Sequence, residues 1–146
     1  MVIKSEPIKA QLAVVPPSKE NGAKFYKYFF ETYPHLRFPF KGRENTDPAT
    51  IPHDPYFQTL GLMILRKLNR LVDEAGSDDG VFTESVEAMV ISHYRRGIEA
   101  VVWHSLLEVL GGFVKSLGVE PVAEWAEFTG AFVCIADRVA ANGYKL

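Results

Sequence analysis

The sequence predicts an all-α chain. Three observations carry that reading. Apolar residues recur with a period near 3.6 in segment after segment. Glycine, proline and capping residues punctuate those segments. No stretch alternates apolar and polar residues between hairpin turns, so no strand is expected.

Taken in order, Gly22, Phe25, Tyr26, Phe29, Phe30 and Tyr33 fall on one helical face, with Ser18 or Asn21 as the starting cap and Pro34 as the stop. Pro34 to Pro52 is rich in turn formers. Asp54-Pro55 reads as a cap followed by proline at the first helical position. The helix it opens stacks Phe57, Leu60, Gly61, Ile64, Leu68, Leu71 and Val72, with Arg66, Lys67 and Arg70 on the other face. Gly76 to Gly80 is expected to be a polar loop. Thr83 then caps a short helix carrying Val86, Met89, Val90 and His93, ended by Gly97. A long helix places Ile98, Val101, Val102, Ser105, Leu106, Val109, Phe113 and Leu117 in phase, with His104 off the stripe beside Trp103. Gly111-Gly112 weakens its end and Gly118 closes it. Pro121 opens a last helix with Val122, Trp125, Phe128, Phe132, Ile135, Ala136 and Val139 in phase. The count is about six or seven helices, packed through their apolar stripes.

Length and composition place these helices in one domain spanning residues 1–146. Hydrophobic residues make up 47% of the 146 and charged residues 23%, enough for a core and too apolar for disorder. Lys+Arg is 16 against 18 for Asp+Glu, a net charge of -2, with no long basic run, so nucleic acid is not an expected partner. No segment is long and apolar enough for a membrane span, and the first twenty residues lack a signal-peptide core. The expected location is the cytoplasm. The single cysteine, Cys134, excludes an internal disulfide and is expected to be buried on its helix. Asp73-Glu74 and Asp78-Asp79 read as solvated charge. Phosphate-binding, dinucleotide-binding and nucleophile-elbow motifs are missing.

One residue stands out against this background. His93 ends an apolar stripe, three residues after Val90 and four after Met89. Two readings stay open: a core histidine with a hydrogen-bonding neighbour, or a metal ligand. No other His, Cys, Asp or Glu lies three or four residues away, which argues against a zinc site. A solitary strong ligand suits a metal that brings its own equatorial donors, as haem does. His35, His53 and His104 read as surface or structural residues.

Several motifs in order and spacing resemble the globin family, and nematode-type globins in particular, over roughly residues 20 to 140. They are Asn21-Gly22 followed by FYKYFFETYPHLR at 25–37, FKGRENT at 40–46, DPYF at 54–57, HYRRGI at 93–98, and Trp125 in the last helix. The resemblance implies a globin fold of about six to eight helices around a haem b pocket. It makes His93 the proximal iron ligand and Phe40, six residues after Pro34, the ring that packs flat on the porphyrin. Tyr26, eight residues before Pro34, becomes the donor facing bound O2. Leu60 takes the position usually held by histidine or glutamine, and Ile64 lies over the iron. Met89 and Ile98 line the proximal side. Ser92 is placed to bond the imidazole and a propionate, and Arg96 to meet a propionate.

Leu60 departs from the commoner family pattern and removes the distal side-chain donor. A single phenol in an otherwise dry pocket still gives a strong hydrogen bond to a partly negative ligand. The function implied is reversible O2 binding as carrier, store or facilitator, with CO and NO as further ligands, in a monomer or homodimer without enzymatic activity. Two alternatives are a haem enzyme consuming NO or peroxide, served by an external reductase, and a haem-based gas or redox sensor.

Overall fold

A computed structural model describes residues 3–145. Among these, six α-helices and two short 3-10 helices occur, and no strand. The α-helices are α1 (Glu6–Leu12), α2 (Lys19–Thr32), α3 (Pro55–Ser77), α4 (Asp79–Tyr94), α5 (Ala100–Ser116) and α6 (Glu124–Ala141). The 3-10 turns, Pro34–Leu36 and Pro48–His53, occupy the proline-rich stretch between α2 and α3. No helix among the described residues is long and apolar enough to cross a membrane.

Short polar side chains set the starts of α2, α3 and α4. Ser18 Oγ accepts from the Asn21 N–H at 3.0 Å and begins α2. Asp54 Oδ1 accepts from the Tyr56 N–H at 2.9 Å and begins α3. Asp78 does the same for α4 through the Val81 N–H at 3.1 Å. This last cap corrects two expectations. The stretch from Gly76 to Gly80 is not a loop, because α3 runs to Ser77 and Asp78 alone separates it from α4. Thr83 lies inside α4 and caps nothing. Three further corrections concern the ends and one face. The last helix begins at Glu124 rather than at Pro121. The long helix begins at Ala100, where the backbone N–H is taken by the Tyr144 hydroxyl at 2.9 Å. On that helix Val101, expected on the stripe, is exposed and Trp103, left off it, is buried, while Val109 and Phe113 are buried as expected.

The segment α1 carries no strong sequence signal and is fastened from outside itself. Gln11 reaches the corner before α6: its Nε2 donates to the Glu120 carbonyl at 2.7 Å. Its Oε1 accepts from the Val122 N–H at 3.1 Å and from Trp125 Nε1 at 2.8 Å. Cys134 is exposed, because the buried stripe of α6 runs through Phe128, Phe132, Ile135, Ala136 and Val139. Glu74 is not simply solvated: it lies on α3, pairs with Arg70 at 3.4 Å, and its side chain is 12% exposed.

Buried side chains form two clusters. One gathers Phe25, Tyr26, Phe29, Phe30, Phe57, Leu65, Val109 and Phe113 from α2, α3 and α5. The other gathers residues of α1, the second half of α3, α4, α5 and α6, among them Leu68, Val72, Val86, Val90, Trp103, Phe128 and Phe132. Leu106 and Leu110 of α5 pack against both.

Candidate functional site

The predicted site residues lie on the two sides of this division. Tyr26, Phe40, Leu60 and Ile64 belong to the first cluster, and Met89 packs against the second. Leu60, Ile64, Phe40 and Met89 are apolar yet only half-buried, as are Leu106 and Leu110. Half-covered apolar side chains are a surface that a flat apolar group would cover.

On the first side the helix crossing sets the geometry. Gly22 of α2 and Gly61 of α3 meet backbone to backbone, so that a Cβ on Gly22 would stand 2.4 Å from the Gly61 carbonyl carbon. Tyr26 lies one turn beyond Gly22, and Leu60 and Ile64 flank Gly61. Phe40 stands edge-on to Tyr26, with ring centroids 5.6 Å apart, and Phe57 holds another side at 5.5 Å. Tyr26 is 2% exposed. Its hydroxyl makes no hydrogen bond among the described residues, and it is not one of the sealed atoms. No backbone carbonyl among the described residues takes its proton. Burial, with the nearby Tyr56 phenol adding to it, pushes the Tyr26 phenol far above its ordinary value, so it remains an O–H donor.

On the second side His93 closes α4. Its Nδ1 lies 2.7 Å from the Met89 carbonyl, which can only accept. That contact fixes the tautomer: Nδ1 carries the proton, and Nε2 keeps its lone pair. The Ser92 hydroxyl at 3.4 Å and the Arg96 Nη2 at 3.3 Å approach the same nitrogen but cannot donate to it in this tautomer. Ser92 instead donates to the Met89 carbonyl at 3.1 Å. Nε2 makes no hydrogen bond among the described residues. Burial lowers the imidazole pKa; the Met89 bond opposes this and the Arg96 charge adds to it, so the neutral, ligating form is favoured. Ile98 is buried beside it, its N–H donating to the His93 carbonyl at 3.0 Å across the turn that Gly97 makes at φ 90°. Ser92 and Arg96 are exposed at the rim.

The sequence pattern missed Trp103, whose ring stands edge-on to His93 with centroids 5.0 Å apart. It also missed the bridging role of Leu106 and Leu110. The signal for Trp103 was its own bulk, overlooked because it lies off the stripe that Val109 and Phe113 define.

The residues fit haem. No group of three or more His, Cys, Asp or Glu among the described residues can hold a bare metal ion. His93 offers one nitrogen with a free lone pair, the single protein donor that a porphyrin iron needs. His35 and His53 are exposed, and His104 is exposed and paired with Asp137 at 3.2 Å.

Comparison with known proteins bears on the family and the fold. Residues 23–135 match the family model described as Globin. The chain is 31% identical over 113 residues to a protein named myoglobin from Nippostrongylus brasiliensis, covering 75% of this chain and 73% of that one. It is 30% identical over 129 residues to an extracellular globin from Pseudoterranova decipiens, covering 84% of this chain but 38% of the relative's length. Among solved structures, a globin-like protein of Caenorhabditis elegans superimposes with a TM-score of 0.89 at 24% identity, over 95% of this chain and 92% of that one. The myoglobin of Aplysia limacina does so with 0.74 at 23%, over 92% and 90%.

Proposed function

The chain belongs to the globin family, and on that premise we propose that it binds haem b through His93 and holds O2 reversibly, as a carrier, store or facilitator. When bound, the haem supplies a ferrous iron that coordinates diatomic gases, CO and NO included. The observation that carries the reading is the His93 tautomer: Nδ1–H is committed to the Met89 carbonyl and Nε2 is left as a free donor.

Each site residue then has a defined task. Phe40, Leu60, Ile64, Met89 and Ile98 exclude water from the haem, which slows oxidation. Tyr26 brings the single distal hydrogen-bond donor, its proton held on the phenol oxygen by burial. Leu60 has no polar atom, so it neither ligates nor donates. Ser92 and Arg96 at the rim are the partners for propionate carboxylates. A cytoplasmic site of action belongs to the same reading, with Cys134 an exposed free thiol.

The test is the absorption spectrum of the purified protein, oxidised, reduced and CO-bound, with His93→Gly alongside. Wild type is expected to be five-coordinate when reduced and gas-free. The variant is expected to lose its haem and to recover it when imidazole is supplied. An unchanged Soret band in His93→Gly without imidazole overturns the assignment.

A further inference from the structure

His93 has one fixed point, the bond from Nδ1–H to the Met89 carbonyl. A single hydrogen bond leaves the ring free to swing about it. The Trp103 indole packs against the imidazole from another helix. It stands edge-on to the imidazole, with centroids 5.0 Å apart and planes at 67°. It is itself backed by Phe132 at 5.0 Å. Both backing residues come from helices other than α4, so the restraint is independent of the helix that carries His93.

Volume alone does not account for a tryptophan here. Trp103 is 7% exposed, and its Nε1 is sealed without a hydrogen-bond acceptor among the described residues. Trp125, the other tryptophan, gives its Nε1–H to Gln11 at 2.8 Å. An orphaned buried N–H carries a stability penalty that Phe or Leu at position 103 would avoid. The indole brings length and a rigid edge that neither replacement has in full.

We propose that Trp103 is the positioning residue of the site: its indole edge sets the rotation of the His93 imidazole and thereby the direction of Nε2. The proposal rests on the reading of His93 as the iron ligand. It assigns Trp103 no contact with the gas and no part in holding a proton.

The experiment uses the haem-loaded protein, reduced and gas-free, and reads the iron–histidine stretching band by resonance Raman. In Trp103→Leu the band is expected to shift and broaden, because the imidazole samples several rotations. Trp103→Phe, which keeps an aromatic edge, is expected to return most of the wild-type width. A band unchanged in position and width in Trp103→Leu overturns the proposal and leaves Trp103 as core filling. Should the leucine variant not fold, the phenylalanine variant and proton NMR of the CO-bound wild type decide. Cross-relaxation between the Trp103 and His93 rings supports the restraint, and its absence overturns it. If wild type shows no iron–histidine band and His93→Gly gains nothing from imidazole, the His93 reading fails and the proposal with it. A band that is present but insensitive to Trp103 removes the proposal alone.

Discussion

Gly22 and Gly61 touch through their backbones: a Cβ on Gly22 would lie 2.4 Å from the Gly61 carbonyl carbon, and one on Gly61 would lie 2.2 Å from the Gly22 carbonyl oxygen. This contact sets the approach of α2 to α3, and with it the position of Tyr26 relative to Leu60 and Ile64. Alanine at a helix interior normally stabilises by up to about 1 kcal/mol relative to glycine. Here the sign reverses, because the obstacle is backbone and cannot step aside. Gly22→Ala or Gly61→Ala is expected to destabilise the fold by roughly 3 kcal/mol or more, the upper end of overpacking costs. Gly111→Ala is the control: nothing lies within 4 Å of a Cβ there. It should be neutral or stabilising. Urea unfolding midpoints of the three variants check both signs.

Gln11 presents a second dependence. Its amide serves the Glu120 carbonyl, the Val122 N–H and the Trp125 Nε1–H at once, joining α1 to the corner before α6. Gln11→Ala leaves the Trp125 donor partly buried and unpaired. The expected loss is about 1–3 kcal/mol. It should appear as a lower denaturation midpoint together with a change in Trp125 fluorescence. Unaltered stability would mean that water replaces the amide at no cost.

The parts of this fold that the sequence shows clearly are the ones with a local cause. Ser18 and Asp54 cap their helices through side chains that reach two or three residues along the chain. The apolar spacing in α6 places every one of Trp125, Phe128, Phe132, Ile135, Ala136 and Val139 in the core. The parts that escape it have distant causes. The helix α1 depends on Gln11 reaching across 109 or more residues of sequence. The start of α5 is capped by the Tyr144 hydroxyl, 44 residues away. Gly112 reads as a weak point in α5, but its missing side chain makes room for the Tyr28 and Tyr33 hydroxyls, which a Cβ would approach at 2.4 and 2.9 Å. At the site, the pattern singled out His93 and left two readings open, a core histidine or a solitary ligand. It could not show the Met89 carbonyl that fixes its tautomer, since a backbone acceptor leaves no mark on the residue types.

The pH dependence of the haem-free protein follows from His93. Burial, the largest influence, lowers its pKa below the ordinary 6.5. In the window between that value and the lower folded one, the unfolded chain holds the proton that the folded chain refuses. The contribution of His93 to stability is therefore full above pH 6.5 and is lost as pH falls through the folded pKa. His93→Gln removes the titrating group and should flatten the stability profile in that window. Urea midpoints measured from pH 7.5 downward check this. Equal slopes in wild type and variant would place the acid sensitivity elsewhere.

The distal side gives the most selective prediction. The Tyr26 hydroxyl has no hydrogen-bond partner among the described residues, and its ring packs against Phe40, Phe57 and Phe29, with the Tyr56 phenol nearby. A phenol so placed can donate only to what occupies the space in front of it. O2 held at a ferrous haem carries partial negative charge, and CO carries much less. The donor should therefore favour O2 and leave CO nearly unaffected. A hydrogen bond to a charged acceptor is worth about 1.5–3 kcal/mol. Lost on dissociation, it changes the rate by roughly ten- to a hundred-fold. Tyr26→Phe keeps the ring and its four aromatic neighbours and removes only the donor. Stopped-flow dissociation should show O2 leaving the variant faster by about that factor, with CO release close to wild type. Equal O2 rates in the two proteins would mean that the hydroxyl turns away from the ligand when haem is in place. A rise in both rates together would point to a repacked pocket instead of a lost hydrogen bond.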